Sequence, residues 1–213
     1  MSMGYSLLGY QRSIMLHSWF PERNQVMLFH ESLGRTVFSV APRVSLHSLM
    51  RGSVVTFVMV PWKDRMRITH AELHALPHTV IRGDILFIHQ LCECIRFFAT
   101  EADSIQELFD LCTMLYDERA EHLTNVLQQQ LFFCKFFALL GIYPEESVYT
   151  TVHEVRTVLS LPFEIMIRHM PYNRYAVSSW VDGCIQMHPE MRMLKTVPSR
   201  YSNNNGELCQ KKL

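Results

Sequence analysis

Residues 83–99 read Gly83-Asp84-Ile85-Leu86-Phe87-Ile88-His89-Gln90-Leu91-Cys92-Glu93-Cys94-Ile95-Arg96-Phe97-Phe98-Ala99, and the apolar period of the chain changes at their start. Ile88, Leu91, Cys92, Ile95, Phe98 and Ala99 recur at spacings of three and four. That puts them on one stripe of an amphipathic helix. Before Gly83 the period is two.

Toward the N-terminus, apolar-rich runs at Ser13–His17 and Gln25–His30 flank a polar loop that holds Trp19 and Phe20. His30-Glu31-Ser32-Leu33-Gly34 reads as a tight turn in which Gly34 can supply positive φ. Arg35–Val40 alternates as a pleated strand does, and Pro42 ends it. Ser53–Val60 is β-branched and apolar nearly throughout, and Pro61 is expected to stop it. Lys63-Asp64-Arg65 then turns the chain into Met66–Leu73. Five strands in about 70 residues, with no long helix among them, predict a small closed or nearly closed barrel.

Toward the C-terminus, Ser104-Ile105-Gln106-Glu107 has capping-box spacing. Ile105, Leu108, Phe109, Cys112, Leu115 and Tyr116 line the apolar face of a second helix. A third is expected from Glu118 to Leu140. It becomes apolar on every side at residues 131–140, the pattern of a helix at the centre of a bundle. Thr150–Leu194 reads as shorter helices broken at Pro162, Pro171 and Pro189. The fold class is therefore α+β, with a barrel in 1–80, a helical domain in 81–198 and a disordered tail in 199–213.

The 213 residues hold 20 basic and 20 acidic side chains, so the net charge of zero names no partner. Its distribution is more informative. Residues 1–80 carry eight Lys/Arg against four acids, a net of +4; residues 81–150 carry four against eleven, a net of −7; the remainder nets +3. Segments this different in sign suggest modules that meet different partners. Gln11, Arg12 and His17 interrupt any apolar leader, and Val126–Ile142 is too short and polar to span a bilayer. Six cysteines without framework spacing read as free thiols in a reducing compartment. A cytoplasmic chain with no membrane partner is the expectation.

Enzyme constellations are missing. There is no G-x-S-x-G and no Gly-rich phosphate loop. His153-Glu154-Val155-Arg156-Thr157 lacks the second histidine of H-E-x-x-H. In His89, Cys92 and Cys94 the middle residue belongs to the helix stripe, so a structural role is preferred to metal ligation. His70 and His74 would share one face of an edge strand and are read as solvated. No catalytic residue, metal or cofactor is expected.

Leu131-Phe132-Phe133-Cys134-Lys135-Phe136-Phe137-Ala138-Leu139-Leu140-Gly141-Ile142-Tyr143-Pro144 resembles the long helix, ALLG and proline of the RecO recombination mediators. The hairpin Leu28–Arg35, the step Val40-Ala41-Pro42-Arg43 and the lead-in Leu49-Met50-Arg51-Gly52 follow in that family's order. The resemblance covers about residues 5–146. Many RecO proteins place a C-x-x-C pair after the proline; Glu145-Glu146-Ser147 stands there instead, so no zinc is implied. What the resemblance implies is an N-terminal OB-fold, a helical C-terminal domain and binding and annealing of single-stranded and possibly double-stranded DNA. It also implies a bacterial, nucleoid-associated location and two partners in DNA repair, a RecR-type protein and the acidic tail of a single-stranded-DNA-binding protein.

An OB-fold holds single strands with cations for phosphates and aromatic faces for bases. Arg12, Arg35, Arg43, Arg51, Lys63, Arg65 and Arg67 are the candidate cations, and Trp19 and Trp62, expected in loops, are the candidate stacking residues. An acidic tail would be repelled by residues 81–150 and is expected to pair with Arg168 and Arg174, its apolar end entering a pocket near Phe133 or Phe137. The rival reading is an interaction adaptor that keeps the barrel as a scaffold and binds no nucleic acid.

Overall fold

Five strands run through residues 11–75: β1 (Gln11–Trp19), β2 (Gln25–His30), β3 (Gly34–Val40), β4 (Val54–Trp62) and β5 (Arg65–Ala75). They form a closed barrel in the order β1-β2-β3-β5-β4. Every pairing is antiparallel except β3 with β5. Helices follow the barrel, as the change of period predicts. The structure is a computed structural model and describes residues 9–19, 24–44, 50–63, 65–101, 105–116, 123, 125–144, 159–169 and 174–186. Phe20, Ser104 of the expected capping box, Cys209 and the expected tail 199–213 lie outside the described residues.

β1 and β2 carry unbroken apolar runs because both of their faces are buried. Met15, Val26 and Leu28 point into the barrel with Phe38, Val40, Val55, Phe57, Met59 and Ile68. Their neighbours Ile14, Leu16, Met27 and Phe29 point outward and join the core of the helical half. Phe29 thus packs beside Phe109, with ring centroids 5.8 Å apart. Gly34 closes the β2–β3 turn at φ 63°, a conformation that costs glycine nothing.

Three residues at the ends of β1 and β4 differ from expectation. Trp19 and Trp62 are the last residues of β1 and β4 rather than loop residues. Pro61 does not stop β4: it pairs with Met66 near the hairpin end, where its side of the strand is exposed. A proline is tolerated there because no ladder donor is needed.

α1 (His78–Phe98) begins before Gly83, but Asp84 breaks it with φ −161° and ψ 90°. Its Oδ1 accepts from Phe87 N at 3.2 Å, which starts the long segment where the period changes. α2 (Gln106–Thr113) runs into a 3₁₀ turn at Met114–Tyr116, with Ile105 in the cap position. α3 (Val126–Leu139) starts eight residues later than Glu118. Asn125 is extended there, and its side chain accepts from Leu127 N at 2.9 Å.

α3 can be apolar all round because aromatic rings surround it. Phe87 meets Phe132 and Phe133, both at 5.5 Å, Phe98 meets Phe137 at 4.9 Å, and Phe163 meets Phe132 at 5.7 Å. The buried glutamines of α3 are satisfied at their nitrogens only: Gln130 Nε2 donates to Ser178 Oγ at 2.8 Å and Gln129 Nε2 to Leu123 O at 2.7 Å, while Oε1 of each is buried without a hydrogen-bond partner. α4 (Phe163–His169) and α5 (Arg174–Gln186) supply the remaining described helices.

Gly52, at φ 80°, seats the barrel against α1. A Cβ at this position would collide with the Ile88 side chain. Its N–H donates to Met15 O at 2.8 Å, and the Tyr116 hydroxyl donates to its carbonyl. Five cysteines are free and buried, and burial pushes the Cys92 thiol up to about 12. Among the described residues no helix is long and apolar enough to cross a membrane, and no three His, Cys, Asp or Glu side chains could hold a metal ion.

Candidate nucleic-acid interface

The β4–β5 hairpin brings together the most favourable cations and aromatic surface. Trp62 pairs with Arg65, so only Lys63 and Asp64 connect the strands, and Lys63 takes φ 55° as so tight a connection requires. Period two then places Val60, Trp62, Arg65 and Arg67 on the outer face of the barrel. The Arg67 guanidinium carbon lies 3.7 Å from the Trp62 ring centroid, a cation–π stack on an indole that is 46% exposed. Arg67 Nε is buried without a hydrogen-bond partner, so the stack holds a cation whose donors are incompletely used.

The register extends this site across the barrel. Trp19 pairs with Gln25, Gln25 with Ser39, Ser39 with Arg67, and Arg67 with Val60. Trp19 and Arg67, far apart in sequence, thus occupy one cross-strand row. Val37 and Val60 add exposed apolar surface near that row. Neither was anticipated. Strict alternation in Arg35–Val40 points to Val37, whereas the continuous apolar run of Ser53–Val60 conceals the outward position of Val60.

The other cations are dispersed, and three are engaged. Arg12 donates to Glu31 Oε2 from Nε at 3.2 Å and from Nη2 at 3.0 Å. Arg35 donates to Arg96 O and pairs with Glu101 at 3.2 Å, which ties β3 to the end of α1. Arg51 Nη2 lies 2.8 Å from His17 Nδ1. Burial, then Arg51 and Arg96, lowers the pKa of His17, so the imidazole accepts from the guanidinium. Arg43 is exposed in the turn after β3, where Ala41 N donates to Ile68 O at 2.9 Å. Lys63, Arg65, Arg67 and Trp62 are brought together; Arg12, Arg35 and Arg51 are not part of that group.

Phe133 and Phe137 correct the expectation for the helical half. Both are core residues, 2% and 0% exposed, because α3 is enclosed by α1, α4 and α5. They present no surface to a partner. Arg168 lies in α4 and Arg174 opens α5; their side chains lie outside the described residues.

The chain matches no family model and no curated protein.

Proposed function

We propose that the barrel is an OB-fold that binds single-stranded DNA, and that the chain serves as a recombination mediator of RecO type. The observation that carries this reading is the Arg67–Trp62 stack at the β4–β5 hairpin, in register across β3 with the end of β1. OB-folds bind oligonucleotides on the β2–β3 face and on the β1–β2 and β4–β5 loops. An exposed indole offers a base its π-face, and Lys63, Arg65 and Arg67 offer phosphates their charge. Such binding is independent of sequence and requires no chemistry: the protein holds a strand and admits its complement. The RecO resemblance adds annealing, a RecR-type partner and the tail of a single-stranded-DNA-binding protein to this reading.

A second reading, the adaptor, is favoured by one observation. Arg12 and Arg35 are neutralised by internal carboxylates, and Arg51 leans on His17, which leaves the barrel fewer cations than its composition suggests. Titration of labelled single-stranded DNA at low and moderate salt decides between the two. The mediator reading requires saturable binding at low ionic strength that weakens with salt. No binding at low ionic strength sinks it and leaves the adaptor.

A further inference from the structure

A pocket of about 450 Å³ opens between α2, α3 and the start of α4. Leu111, Met114, Leu139 and Phe163 form its apolar wall. Its lip carries Glu107 and Asp110, exposed and one turn apart on α2, so both carboxylates face the same opening. Its size falls in the range of roughly 300–1,000 Å³ usual for ligand pockets and is sufficient for one or two large side chains.

Lys135 is the cation of this pocket, and its donors are largely committed. Its Nζ donates to Leu159 O at 2.6 Å and to Leu161 O at 2.9 Å, pinning the segment that leads into α4. Burial lowers its pKa, and the nearby Glu107 carboxylate opposes that shift. Lys135 therefore offsets one carboxylate and leaves the lip with a net negative charge, in a segment that itself nets −7.

We propose that this pocket docks a basic, apolar peptide segment of a partner protein: one or two large apolar side chains against the wall, flanked by Lys or Arg at Glu107 and Asp110. Charge complementarity selects this occupant. An acidic peptide or a nucleic acid would bring negative charge to a negative lip. The site is separate from the hairpin and does not depend on DNA binding.

The test uses three labelled hexapeptides and the full chain, followed by fluorescence anisotropy at low salt. The first has a Leu-Phe centre flanked by lysines, the second the same centre flanked by glutamates, and the third an Ala-Ala centre flanked by lysines. The first should bind about tenfold more tightly than either of the others. A Glu107→Lys, Asp110→Lys double variant, altered only at exposed positions, should lose about tenfold in affinity for the first peptide. A Leu139→Asp variant should lose a similar factor. Equal binding of the lysine peptides would show surface charge alone and overturn the pocket. Tighter binding of the glutamate peptide, unchanged affinity in the double variant, or no binding of any peptide would each overturn it as well.

Discussion

His30 shows how one residue carries a condition on the whole barrel. It is 1% exposed, and its Nδ1 accepts from Ser32 N at 3.0 Å and Leu33 N at 3.2 Å, which places the ring proton on Nε2. Phe38 and Phe57 flank the ring at 6.1 and 5.8 Å. Burial lowers its pKa to about 4, against a smaller upward pull from Glu31. The unfolded chain takes up this proton near pH 6.5 and the folded chain only near 4. The stabilisation is therefore complete above 6.5 and is lost as pH falls toward 4, by about 3 kcal/mol. Urea unfolding between pH 7.5 and 4 should show the decline, and His30→Leu should be less stable at neutral pH but follow a flatter curve. Parallel curves for the two proteins would remove the role assigned to His30. At the candidate interface, Trp62→Ala should cost roughly 1–3 kcal/mol of single-strand affinity through lost stacking. Arg67→Ala should weaken all sequences alike, whereas Arg12→Ala, already paired to Glu31, should change little.

At the scale of elements, most of the architecture was legible. Alternation marked five strands, and the change of period at Gly83-Asp84 marked the helices, because side-chain direction repeats every 2 or 3.6 residues. Boundaries were less legible. Pro61 and Asn125 each act through the place they occupy: an exposed hairpin end tolerates the proline, and an extended Asn125 starts α3 by capping it. Asn125→Ala should therefore cost about 1 kcal/mol, read as a lower urea midpoint. Gly52→Ala should cost more, roughly 2–4 kcal/mol, because strain at positive φ adds to overpacking against Ile88. A midpoint unchanged by Gly52→Ala would mean that α1 is not seated on this turn.

At the scale of the whole molecule, Arg35 adds a polar tie to the apolar contact between barrel and helices: it meets Glu101 and Arg96 O, joining β3 to the end of α1. Arg35 thus ties the barrel to the helices, and Arg35→Ala should raise amide exchange in β3 and at 99–101 while leaving single-strand affinity nearly unchanged. A large loss of affinity would return Arg35 to the DNA-binding set. With Lys63, Arg65, Arg67 and Arg43 as phosphate contacts, the logarithm of affinity should fall against the logarithm of salt with a slope of roughly −2 to −3. A slope near zero would rule out phosphate contacts as the source of affinity.

From the sequence alone came the barrel followed by helices, the all-round apolar character of α3 and the charged hairpin at Lys63–Arg67. Periodicity and turn chemistry act over a few residues, and these features depend on little else. Which cations are already engaged was decided by tertiary structure, because Arg12 meets Glu31 across 19 residues, Arg51 meets His17 across 34 and Arg35 meets Arg96 across 61. The same holds for Phe133 and Phe137. An apolar run states that a helix seeks burial, but only the packing of α1, α4 and α5 around α3 determines that no aromatic face of theirs remains for a partner.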